Sequence, residues 1–171
     1  MEPEIVEPEM KFYTATEYEM MTLCEEHYER EYVEEGWPDP KNKGYPNQYL
    51  DATYFMLVCE DALVGYTSFK HMGTYILVGN TYVQKNWRGK QIHSDLLTHR
   101  NKYLIDTFGL PILTVLNPRD GVSVEQLRKT VSSLGYERCR LYAHVGHAMT
   151  KEEWQEIGGF DGSNEIWRLN A

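Results

Sequence analysis

One short basic segment, Val83-Gln84-Lys85-Asn86-Trp87-Arg88-Gly89-Lys90, combines residue types and spacing that can do chemistry. It joins a strand-like run, Thr74 to Gln84, to a helix-like run, Gln91 to Phe108. The first amides of a helix have no partner inside the helix, and the helix dipole concentrates positive charge there. A phosphate or similar anion is therefore favoured at such a point, and Arg88 and Lys90 add formal charge to it. Basic turns before helices are also commonly only solvated, so this turn alone names a kind of ligand rather than a function.

Other constellations are weaker. Cys24, Cys59 and Cys139 are too widely spaced for the C-x-x-C pairs of zinc or redox sites and read as reduced, buried thiols. His144 and His147 stand three apart, a spacing that suits metal ligands on a helix, but they fall in or after a strand-like run and no third ligand accompanies them. No metal site is expected. The formal charge of −9 opposes sequence-independent binding to nucleic acid and attracts cations such as an amine, although an acidic surface also serves solubility. No run has the length of a membrane span, and Met1 to Glu9 lacks the pattern of a signal peptide. The expectation is a soluble, cytoplasmic protein with neither nucleic acid nor membrane as partner.

A chain of 171 residues buries one substantial core, so a single domain over 10–171 is expected behind a loose, acidic, proline-containing arm at 1–9. Lys11 to Thr14 is a short strand, and Thr14-Ala15-Thr16-Glu17 reads as a capping box. The helix that follows shows Tyr18, Met21, Cys24, Tyr28 and Tyr32 on one face. Gly36 to Gln48 is rich in Gly and Pro and reads as an irregular loop carrying Trp37 and Tyr45. Thr53 to Cys59, Leu63 to His71 and Thr74 to Gln84 form an antiparallel meander. After the helix ending at Gly109 come a strand, Pro111 to Leu116, and a helix, Val122 to Leu134, closed by Gly135. A strand from Tyr136 to Val145, a short helix behind the Thr150 to Glu153 capping box, and a last strand from Glu165 to Leu169 complete the order. The expected fold class is α/β (α+β), with a mixed, mostly antiparallel central sheet of about seven strands and flanking helices.

With this order in place, the segment resembles the GNAT superfamily of acyl-CoA N-acyltransferases. In that family a Val or similar residue at the end of the fourth strand precedes by five places an (Arg/Gln)-x-x-Gly-x-(Gly/Ala) turn, and Val83 and Arg88 have that spacing. Phe12 to Thr16 resembles the family's opening strand and helix start, Asp61 to Tyr66 its second hairpin, and Leu134-Gly135-Tyr136-Glu137 its Leu-Gly-Phe-Glu. The resemblance implies acetyl-CoA as cosubstrate, its pyrophosphate on the amides of Arg88, Gly89, Lys90, Gln91, Ile92 and His93. It implies a pantetheine arm along Tyr82 and Val83, and an Asn at the end of the fifth strand, here Asn117. The acceptor, a primary amine of a small molecule or protein, would enter beneath the loop with Trp37 and Tyr45; relatives are often homodimers.

Several positions depart from the family pattern. Gln91 replaces the first Gly of the turn, and either narrows the site or donates its amide to a phosphate oxygen. His93 replaces the second small residue, and reads as a packed or solvated imidazole or as a phosphate contact. The family's frequent glutamate base falls at Leu77, and the tyrosine that protonates the departing thiolate falls at Val131. Asn80 through a bound water, Tyr82, His71 and His144 are weak candidates for proton transfer. Three readings follow: an active N-acetyltransferase, a protein that keeps the fold for binding or structure without catalysis, or an acyltransferase using a different donor, since Gln91 alters the signature of the turn.

Overall fold

The structure is a computed structural model of the chain. It describes residues 10–16, 19, 52–60, 62–89, 91–118, 124–146 and 148–170, with 62, 63, 80, 82 and 85 described by backbone alone. The arm at 1–9, the tyrosine-striped helix, the loop with Trp37 and Tyr45, Lys90 and His147 lie outside the described residues.

The strands are β1 (Met10–Thr16), β2 (Thr53–Cys59), β3 (Ala62–His71), β4 (Ile76–Val83), β5 (Ile112–Leu116), β6 (Glu137–Cys139) and β7 (Glu165–Leu169). The helices are α1 (Ile92–Phe108), α2 (Val124–Ser133) and α3 (Lys151–Glu156). One sheet of seven strands runs in the order β1-β2-β3-β4-β5-β7-β6. β4 and β5 pair in parallel, while β1 with β2, β5 with β7 and β6 with β7 pair antiparallel. This is the mixed sheet expected from the sequence. The contacts divide the chain into two compact units, Met1–Ser68 with Asn80–Leu96 and Phe69–Gly79 with Leu97–Ala171.

In the first unit, β1 lies along the whole of β2, from Met10 opposite Cys59 to Thr16 opposite Thr53. Phe12 stacks on Phe55 at 5.4 Å between ring centroids, and Tyr54 meets Tyr66 edge-on at 5.5 Å. Val64 to Phe69 of β3 is buried at every position, so its polar members need internal partners: Thr67 shares a 2.8 Å hydroxyl bond with Thr81 of β4. β1 is longer than the expected Lys11 to Thr14, and the capping hydroxyl moves with it. Thr14 and Ala15 are spent in the ladder, and Thr16 Oγ1 accepts from Glu19 N at 3.1 Å while donating to Glu19 Oε1 at 3.1 Å.

In the second unit, every residue of β5 from Ile112 to Leu116 pairs with β7, from Leu169 to Glu165. Phe108 of α1 packs on Phe69 and His71 of β3, with centroids 6.2 and 5.1 Å apart. Buried Arg100 of α1 donates to Asn101 Oδ1 and to Tyr136 Oη, and Tyr136 Oη donates to Asn101 Oδ1 at 3.1 Å. Burial pushes the Tyr136 hydroxyl up from its ordinary value. Thr150 and Glu153 form the predicted capping box at the start of α3, and Glu153 Oε2 also accepts from the buried Tyr75 hydroxyl at 2.6 Å.

The expected strand from Tyr136 to Val145 is cut to Glu137–Cys139, and Tyr142–His144 forms a 3-10 turn instead. Aromatic packing overrides the alternation. Tyr142 turns onto Trp154 and Phe160, at 6.2 Å from each, and its hydroxyl donates to the Met149 carbonyl at 2.7 Å. A residue stretched along β7 could not satisfy those contacts.

Glu165, at the start of β7, is buried and accepts from both Nε and Nη2 of Arg128 and from Trp167 Nε1 at 3.3 Å. Arg128 first, and then the charge of Arg138, hold its carboxyl below its ordinary value, against the upward push of burial. A depressed carboxyl contributes stability that is complete above its unfolded pKa, about 4.3, and is lost as pH falls through the lower folded value. Melting temperatures should therefore fall on acidification more steeply for the wild type than for Glu165→Gln, and the gap between them should close below about pH 4. A constant gap would show that the carboxylate charge is not what Arg128 holds.

Trp154 packs flat against Gly159, where a Cβ would meet the indole ring. Gly159→Ala should cost about 1–3 kcal/mol by overpacking, read from urea unfolding.

Candidate anion-binding site

The candidate site lies where β4 ends and α1 begins, within the first unit. Gln84 N donates to the Val64 carbonyl at 2.8 Å and so completes the β3–β4 edge at this end. Lys85–Trp87 then forms one 3-10 turn, closed by Trp87 N on the Gln84 carbonyl at 2.9 Å. Arg88 reaches back over this turn, its Nε donating to the Val83 carbonyl at 2.9 Å. The first bond of α1 runs from Asp95 N to the Gln91 carbonyl at 2.9 Å. Buried Ile92 and Leu96 anchor the helix, and Gln91, His93 and Ser94 face outward.

Two residues of the turn have left-handed backbone: Gly89 at φ 79° and Gln91 at φ 61°. Glycine adopts this freely, whereas a residue with a Cβ pays about 1 kcal/mol or more. Gln91 stands where the glycine of the family turn is expected, and it takes a glycine conformation without being glycine. Its exposed side chain leaves the turn rather than filling it.

Of the other predicted residues, Tyr82 and Asn80 lie on β4 directly before the buried Val83, and Ile92 and His93 open α1. The β4–β5 ladder matches Ile76, Leu77 and Val78 with Ile112, Leu113 and Thr114. β4 then runs on to Val83 and β5 to Leu116, and Asn117 follows β5. Leu77 and Val131 are both buried apolar side chains, so neither position offers a proton-transfer group. His71 Nδ1 accepts from Gly73 N at 3.0 Å, in the hairpin between β3 and β4.

Asn117 follows the residue opposite Glu165, whereas the His144 carbonyl accepts from Arg168 Nη1 at 3.0 Å, and Arg168 is opposite Leu113. Among the described residues, no three His, Cys, Asp or Glu side chains gather as metal ligands, and no helix is long and apolar enough to cross a membrane. Sequence reading missed the Arg128–Glu165 pair and the surroundings of Arg168, because those partners are far apart in the chain and no local spacing announces them.

Several solved structures that share this architecture are acyltransferases by name. An acyl-CoA N-acyltransferase from Pseudomonas aeruginosa aligns over 95% of this chain and 100% of its own at TM-score 0.57 and 11% identity. A GNAT-family acetyltransferase from Staphylococcus aureus aligns over 95% of this chain and 99% of its own at 0.58 and 12%. Naa50 of Arabidopsis thaliana, in complex with the bisubstrate analogue CoA-Ac-MVNAL, covers 95% of this chain and 99% of its own at 0.53 and 14%. No family model matches the sequence, and no curated protein does. The fold is that of the GNAT acyl-CoA N-acyltransferases, as the resemblance around Val83 and Arg88 implied.

If the turn is under backbone strain at Gln91 alone, the two left-handed residues should respond oppositely. Gly89→Ala, where a Cβ meets only open space, should cost about 1 kcal/mol from the backbone alone. Gln91→Gly should be neutral or stabilising by up to about 1 kcal/mol, since relieved strain is offset by the freedom glycine gains on unfolding. Chemical denaturation of both variants reads the signs.

Proposed function

We propose that this protein transfers the acetyl group of acetyl-CoA to a primary amine of a small molecule or of a protein. The observation that carries the reading is Gln91, held in a glycine conformation at the glycine position of the turn. Strain kept by a residue that could relax is a mark of a backbone shape in use. The turn amides from Arg88 to His93 would take the pyrophosphate, with the positive end of α1 behind them. The pantetheine arm would lie along Tyr82 and Val83.

In the transfer, the neutral amine attacks the thioester carbonyl carbon, the C–N bond forms, the C–S bond breaks, and CoA leaves as thiolate. With Leu77 and Val131 apolar, positioning and exclusion of water supply most of the rate, and the amine proton passes to water beside Asn80 or Tyr82. Trp37 and Tyr45 would line the acceptor side. That one neighbour of this fold is solved with a CoA–peptide analogue is the reason for keeping protein amines within the acceptor class.

The buried Leu77 and Val131 also favour a second reading, in which the protein binds acyl-CoA and transfers nothing. Calorimetric titration with acetyl-CoA and a thiol-release assay with amines separate the two, since only the first reading yields free CoA.

Arg88 is the decisive residue. Losing its charged contact should weaken CoA binding about ten- to over a hundredfold, from the roughly 1.5–3 kcal/mol of a charge-assisted hydrogen bond. Because Arg88 Nε also closes the turn on Val83, Arg88→Lys should recover only part of the binding. Equal CoA affinity in the wild type, Arg88→Ala and Arg88→Lys would remove this residue from the site.

A further inference from the structure

A pocket of about 320 Å³, wholly within the second unit, is lined by Glu137, Arg138, Cys139, His144, Arg168 and Asn170. It lies at β6, the last strand of the sheet, and none of its residues belongs to the turn around Arg88.

Arg168 is held by uncharged groups. Its Nε donates to Asn170 Oδ1 at 2.7 Å and its Nη1 to the His144 carbonyl at 3.0 Å. Among the described residues no carboxylate is within ion-pair distance of it, although Glu137 is its partner in the β6–β7 ladder. Arg138 differs, with its Nε 3.8 Å from Glu165. Neutral acceptors fix the direction of a guanidinium without cancelling its charge, so Arg168 presents an oriented cation to the pocket.

The neighbouring groups are donors too. His144 Nδ1 accepts from the amides of Arg140 and Leu141 at 3.2 and 3.3 Å, which places the proton of a neutral ring on Nε2. Asn170 spends its oxygen on Arg168, leaving its amide hydrogens as donors. Burial pushes the Cys139 thiol up, outweighing the opposing charge of Arg168, so it stays a protonated S–H rather than a nucleophile. One guanidinium, one ring N–H and one carboxamide make a wall of donors, with Glu137 as the charge that opposes an anion, while the Cys139 thiol donates to the Glu137 carbonyl at 3.9 Å.

We propose that this pocket binds a small oxyanion, the carboxylate or phosphate group of a metabolite, on the guanidinium of Arg168. This goes beyond acetyl transfer and does not depend on it.

The test is a titration of the full chain, followed by ¹H–¹⁵N spectra at constant pH and ionic strength, with inorganic phosphate and separately with succinate. Saturable shifts of the Arg168 and Asn170 side-chain signals and of the Cys139 amide are expected with at least one of the two. Phosphate alone, succinate alone or both would name the oxyanion. Arg168→Gln should weaken that binding about tenfold or more, and Arg88→Ala should leave it unchanged. Glu137→Gln should strengthen it about two- to fivefold, by removing a repelling charge. Should Arg168→Gln not fold, Arg168→Lys, which keeps the charge and loses the fork, should weaken it severalfold. Shifts that rise linearly without saturation for both anions, or that are indifferent to Arg168, would overturn the proposal. Loss of binding in Glu137→Gln would overturn it as well, because the ligand would then need a cationic group.

Discussion

The parallel pairing of β4 with β5 is the constraint from which the site follows. Two parallel neighbours cannot be joined by a hairpin, since the chain must return to the starting end before the second strand begins. α1 provides that return. Its N-terminus must therefore come directly after the C-terminal end of β4, with only the turn from Gln84 to Gln91 between them. A strand end that delivers the chain to a helix start is where unpaired amides and the positive pole of the helix dipole coincide. The ladder needs only Ile76–Val78 against Ile112–Thr114 to set this direction, so β4 is able to run five residues further and deliver Val83 to the turn.

The turn is closed by a small number of local bonds. Trp87 on Gln84, Arg88 on Val83 and Asp95 on Gln91 carry the chain from extended to helical within about a dozen residues. None of them forces Gln91 into the left-handed region by chemistry of its own, and the residue pays for the shape of the path rather than for a contact. A glycine there would take the same path at no steric cost, and its absence is the clearest departure from the family pattern.

Much of the fold was legible because local signals and tertiary packing agreed. The Thr150 capping box, the stop at Gly109 and the short run of β7 are each decided within a few residues, and each appears where read. The failures share a cause. Thr14 offered a capping box, but the seven-residue ladder with β2 consumed it and Thr16 took over, a choice made by a strand some forty residues later. The run after Tyr136 alternated convincingly, yet Tyr142 was claimed by Trp154 and Phe160. At the site, the turn was legible in Val83, Arg88 and Gly89, whereas the left-handed state of Gln91 was not, since nothing in a glutamine announces positive φ. Proton-transfer groups stayed illegible for a plainer reason: Leu77 and Val131 removed the positions that a pattern could point to.

Arg128 and Arg168 are used in different ways in this acidic chain, and the difference bears on where ligands go. Arg128 is bound to a buried carboxylate, and Arg138 stands near the same one, so their charge is largely spent on Glu165 and serves to hold β7 to α2. A bond from Nε to a carboxamide, as Arg168 makes to Asn170, fixes the guanidinium plane and leaves the net charge intact. On a protein with formal charge −9, long-range attraction favours neutralising every cation with a surface carboxylate. Glu137 faces Arg168 across the ladder and still forms no ion pair with it. An arginine oriented by neutral groups while a carboxylate is at hand retains its pull on an incoming anion, and that pull is what distinguishes a binding arginine from a structural one.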